Sequence, residues 1–168
     1  GSRTGLDYGE GNGIAAFNGN NSNFPYKTGI ILSSGFVSNA PGPNQQDNSN
    51  GSNNWLGDDD LEIYTSTNNS NNASFIQFDF VPRISQISFN FIFASEELNQ
   101  NFECFYSDAF AFILTDQVTG TVQNLAILPG TDIPIEATNI HPDVPGGCPA
   151  INEEFFDRYN FSPFNDPN

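Results

Sequence analysis

Three acidic clusters hold the residues of this chain best suited to chemistry. Asp58-Asp59-Asp60 with Glu62 follows Gly57, Ser95-Glu96-Glu97 closes a strongly apolar run, and Ser107-Asp108 opens another. Calcium is held by about six to eight oxygens drawn from carboxylates, amides and carbonyls. Turn acids spaced i, i+2 can converge with acids at strand ends on one edge of a sheet. Calcium is therefore the expected cofactor, with Asp58, Asp60, Glu97 and Asp108 as ligands and Glu96 as a fifth ligand or a support. The run is not an EF-hand, because Ile63 stands where that loop needs glycine. The plain alternative is a set of solvated turn acids.

Other chemistries have less to work with. A glycan hydrolase needs an acid and a base or nucleophile across the sugar bond. Glu96 and Glu97 are adjacent, and on a strand they face opposite ways, which leaves Glu97 with Asp108 or Asp58. His141 is the sole histidine and lies in a Pro/Gly loop without a serine elbow, so a nucleophilic triad is not expected. The glycines at 9, 11 and 13 lack the flanking strand and helix of a phosphate loop. Trp55 and Tyr64 flank the acidic turn. With Asp108, Trp55 forms a candidate ligand-binding pair of the calcium-dependent sugar type, the ring stacking on sugar C–H groups; equally, Trp55 can pack under the loop. The five Asn-x-Ser sequences are expected by chance in so Asn-rich a chain.

Charge narrows the partners. Four Lys+Arg against 20 Asp+Glu give a net charge of −16 and a pI near 4.1. Phosphate backbones and anionic membrane surfaces both need clustered cations, so neither nucleic acid nor a membrane is an expected partner. A glycan or another cell-surface protein fits better, and oligomeric state stays open. Seventeen Phe, five Tyr and one Trp supply more burial than a disordered acidic chain carries. Cys104 and Cys148 lack CxxC spacing, which favours one disulfide over zinc, with two free thiols as the alternative.

The elements that position these residues read as strands. Ile14–Phe17, Gly29–Ser33, Ser74–Val81, Gln86–Ser95, Ala109–Leu114 and Val122–Leu128 are apolar runs, several of them in period-2 alternation between turn residues. Ile76, Phe78 and Phe80 share one face, as do Ile87, Phe89, Phe91 and Phe93. Residues 39–54 and 66–72 are Asn-rich loops, and 152–159 makes one short helix at most. The expected fold is all-β: a two-sheet antiparallel β-sandwich, jelly-roll-like, with long Asn/Gly-rich loops. A single domain over 3–168 is expected, incomplete at its C-terminus, with Gly1-Ser2 a cloning scar and Asp166-Pro167 an acid-labile bond. No apolar run is long enough to span a membrane.

In order along the chain, several blocks resemble the choice-of-anchor L domain of large secreted and cell-surface proteins, chiefly of Bacteroidetes. They are Phe17–Asn23, Thr28–Gly35, Gly42–Asn44, Gly57–Leu61, Phe78–Pro82, Ile87–Glu97, Ser107–Phe112 and Leu128–Thr131. The family's tyrosine after Glu-Glu is Leu98 here. The resemblance implies an extracellular, non-catalytic adhesion or ligand-binding module, and the family runs on past residue 168. Asp58, Asp60, Glu96, Glu97 and Asp108 fall within its blocks, which strengthens the calcium expectation. Ser107–Phe112 is also similar to the aspartate-bearing strand of legume-type lectins.

Overall fold

In the computed structural model, residues 2–5, 13–19, 21–41, 48, 50–51, 54–99 and 101–159 are described. Gly9, Gly11, Asn160, the Asp166-Pro167 bond and much of the 39–54 loop lie outside them. Backbone contacts divide the chain into two compact units. One comprises Gly1–Pro41, Asn48–Gly57 and Asn71–Ile92; the other comprises Gly42–Asp47, Asp58–Ser70 and Phe93–Asn168.

The first unit is built on two antiparallel ladders. β1 (Ser2–Gly5) pairs with β4 (Phe75–Phe78), Ser2 opposite Phe78. β2 (Ile14–Asn18) pairs with β3 (Thr28–Leu32), Phe17 opposite Gly29. That pairing needs glycine, because a Cβ at Gly29 would sit 2.5 Å from the Phe17 ring. The connecting loop closes through Gly19 N–H to Lys27 O at 2.8 Å, and Phe24 stacks edge-on against Phe17 at 5.3 Å. Trp55 is the buried anchor of this unit. Its indole N–H donates to Ala73 O at 2.8 Å, and a Cβ at Gly13 would lie 2.5 Å from its ring.

The second unit begins with α1 (Asp59–Tyr64), the one α-helix among the described residues. It forms where an acidic turn was expected, because Asp58 Oδ1 accepts the N–H groups of Asp60 and Leu61 at 2.9 and 3.1 Å. Asp59, Asp60 and Glu62 then lie in the first turn, where the helix dipole favours negative charge. Within 152–159, where one short helix at most was expected, a 3-10 turn forms at Glu153–Phe155.

β5 (Ala109–Phe110) pairs with β8 (Ile135–Glu136), and β6 (Ile113–Thr115) with β7 (Val122–Asn124), both antiparallel. The β5–β6 run is one expected strand broken in two. Asn124 Oδ1 accepts the N–H groups of Phe112 and Ala126, drawing them out of the ladder. Around this break sits the core: Ala126, Leu128 and Ile135, with Phe93, Phe110, Phe112 and Ile140 packed on it. Cys104 and Cys148 are joined in a disulfide. Asn101 and Asn152 carry left-handed φ of 74° and 46° at the entrances of two 3-10 turns, and Asn69 and Asn72 do the same in the 66–72 loop.

The class is as expected, strand-dominated and antiparallel with little helix. One expected strand is not formed. Gln86–Ser95 belongs to no strand, and Ile87, Phe89, Phe91 and Ile92 are each close to half exposed. Alternation says which side chains share a face; a ladder also needs a neighbouring strand in register. Phe93, at its far end, packs on the core of the second unit. Among the described residues no helix is long and apolar enough to cross a membrane.

Candidate functional site

The chemistry gathers at Ser95, Glu97 and Asp108. Glu96 and Glu97 lie in a turn rather than on a strand, with Leu98 N–H donating to Ser95 O and Asn99 N–H to Glu97 O. The turn brings Glu97 toward Asp108, at the residue before β5. Ser95 is buried, and its Oγ lies 2.6 Å from Glu97 Oε2 and 2.8 Å from Asp108 Oδ2. The same oxygen accepts the Glu97 N–H at 3.2 Å.

Counting protons makes this arrangement informative. A serine hydroxyl has one hydrogen and cannot donate to both carboxylates. One contact therefore requires a proton on a carboxyl group, or a cation in its place. Consistently, burial, then the hydrogen bond to Asp108 and its negative charge, push the Glu97 carboxyl up to about 7, against the pull of the Ser95 hydroxyl.

The other candidates are placed elsewhere. Asp58 caps α1, and its backbone N–H takes the Ser70 hydroxyl oxygen at 2.9 Å. Asp60 is exposed in the first turn. Glu96 is half-buried, with Oε2 enclosed. Among the described residues, no group of three or more His, Cys, Asp or Glu is gathered for a metal ion. Trp55 is buried with its N–H engaged, so it presents no stacking surface to a sugar.

Two features escaped the sequence reading. Ser95 was visible in Ser95-Glu96-Glu97 without a role, since nothing in spacing says that a hydroxyl will bridge two acids. Glu136, almost fully buried, accepts the Ser66 N–H on Oε1 and the Asn139 amide on Oε2 at 3.3 Å, a latch between loops with no local motif.

A buried serine thus bridges two acids on a strand-dominated, disulfide-bonded frame. The chain belongs to the choice-of-anchor L domain family, whose model matches residues 2–167. Domains of this family are parts of secreted or cell-surface proteins. No curated protein and no solved structure matches the chain.

Proposed function

We propose that this chain is a non-catalytic, β-sandwich-type adhesion or interaction module of an extracellular bacterial protein, stabilised by calcium. The observation that carries the reading is the proton deficit at Ser95, Glu97 and Asp108. The residues fit the ion: two carboxylates and a hydroxyl are hard oxygen donors, and a divalent charge would remove the repulsion that raises Glu97. Ser95, Glu97 and Asp108 would hold it, with Glu96 adjacent and water completing the shell. Asp58 and Asp60 serve the helix terminus instead. The metal supplies rigidity to the turn before β5 and performs no chemistry.

Calorimetric titration with calcium, followed by thermal melts with and without chelator, tests this. One ion per chain and a melting temperature several degrees lower in chelator are expected, both lost in Asp108→Asn. An unchanged melting temperature sinks the calcium claim. A glycan array in calcium then separates sugar from protein ligands. A sugar would be read through Asp108, because Trp55 is buried.

A further inference from the structure

The second unit contains a cluster outside the acidic site. His141 is 1% exposed, and its backbone is fixed by a two-way bridge to Ile151 at 3.0 and 2.9 Å. Its Nδ1 lies 2.9 Å from Pro142 O. A carbonyl can only accept, so Nδ1 carries the hydrogen, and in the neutral ring Nε2 holds the lone pair. That lone pair faces the disulfide: Nε2 is 3.8 Å from Cys148 Sγ. The two sulfurs have different surroundings. Cys148 is held in a tight turn, Val144 N–H donating to Cys148 O at 2.9 Å, with His141 against its sulfur. Cys104 Sγ sits against Gly147, where an added Cβ would come within 3.0 Å of the sulfur. Pro145, Gly146 and Gly147 are all exposed, and so are Phe105 and Tyr106, immediately after Cys104.

We propose that the Cys104–Cys148 bond is exchange-active, opened by an external thiol at Cys104 with Cys148 departing toward His141. The balance closes without an oxidant. The incoming thiol gives its proton to water and attacks Cys104 Sγ as a thiolate, and His141 Nε2 takes one up as Cys148 departs. A new S–S bond forms to Cys104, the Cys104–Cys148 bond breaks, and its electron pair leaves on Cys148 as a thiolate facing the imidazolium. A thiolate paired with imidazolium is a better leaving group than one in neutral surroundings, which fixes the direction of cleavage. Cys104 is itself only half-buried, a side chain at Gly147 would press on its sulfur, and Phe105 and Tyr106 offer a thiol-bearing partner apolar surface to rest on.

Among the described residues, Glu103 and Asp143 are the acids next to the site in the chain. Glu103 precedes Cys104 and accepts from the Tyr159 hydroxyl on Oε1 at 3.1 Å. Burial and the Glu103 charge keep that phenol protonated at neutral pH. Asp143, between His141 and Cys148 in the chain, is exposed and screened by solvent. The proposal is independent of the calcium reading.

The test treats the folded wild-type chain with millimolar glutathione at neutral pH, followed by acid quench and peptide mass spectrometry. Expected is a glutathione adduct on Cys104 with Cys148 as a free thiol. An adduct mainly on Cys148, or a fully intact disulfide under these conditions, overturns the proposal. His141→Gln is expected to slow adduct formation by about tenfold, and an unchanged rate counts against it. In Cys104→Ser, the pH midpoint for alkylation of Cys148 is expected below the ordinary thiol value of about 8.5; a midpoint at or above that value also overturns the proposal.

Discussion

Two acidic regions of the second unit use the same residue types to opposite ends. At α1, Glu62 accepts the Ser70 hydroxyl and backbone N–H at 2.9 and 2.7 Å, and these hydrogen bonds hold its carboxyl below the ordinary value. At Ser95, Glu97 has one hydroxyl to share with a second acid, and burial pushes it up to about 7. Both clusters contain serine and closely spaced carboxylates. The difference lies in donors per acid: Ser70 offers Glu62 both a hydroxyl and an N–H, whereas at Ser95 one hydroxyl hydrogen stands between two carboxyl groups. A region with surplus donors is complete as it stands, and one with a deficit invites a proton or a cation.

That contrast can be broken at its weakest point. Ser95→Ala removes the bridging hydroxyl and is expected to destabilise the chain by about 2–3 kcal/mol, read from urea unfolding. A loss no larger than that of a surface serine would place the two acids in water and end the comparison. The next largest effect is on pH dependence. The Glu97 carboxyl stands at about 7 when folded against an ordinary 4.5. Between those values the folded state binds more protons than the unfolded one, so in chelator stability falls as pH rises from 4.5 to 7. After allowance for partial exposure the loss is about 1–2 kcal/mol. Denaturant midpoints across this range check it; a flat or rising profile contradicts it.

The smaller effects belong to the helix end. Asp58→Ala should destabilise by about 1 kcal/mol through loss of the cap, measured by the same unfolding, with Asp58→Ser largely restoring it. For Glu62 the sign is reversed. Its folded value lies below 4.5, so its contribution is present above that value and disappears as pH drops through the folded one. NMR titration of the glutamate carboxyls should show Glu62 as an acid-shifted group and Glu97 as a base-shifted one in the same sample.

Much of the fold was legible. β2, β3 and the start of β4 lie where short apolar runs sit between turn residues, and the Cys104–Cys148 pairing followed from the absence of any metal spacing. The family was readable from Phe93-Ala94-Ser95-Glu96-Glu97 and its neighbours. What was not legible is what each acid faces. Asp58 looked like a ligand because an N-cap and a metal turn use the same residue before the same kind of acidic run; the periodic Leu61 and Tyr64 were the available hint of a helix. Gln86–Ser95 alternates as a strand does, yet alternation cannot name a partner strand. Trp55 beside three aspartates could stack on a sugar or pack under the loop; Gly13, far off in sequence, makes the space that buries it.

The positive φ of four asparagines among the described residues gives the composition another meaning. Asn69, Asn72, Asn101 and Asn152 hold backbone angles usually left to glycine. A glycine there would roam more widely in the unfolded chain and have more freedom to surrender on folding. Asparagine reaches the same left-handed geometry from a narrower starting range. The amide-rich loops of this chain thus shape its turns while keeping the denatured ensemble small.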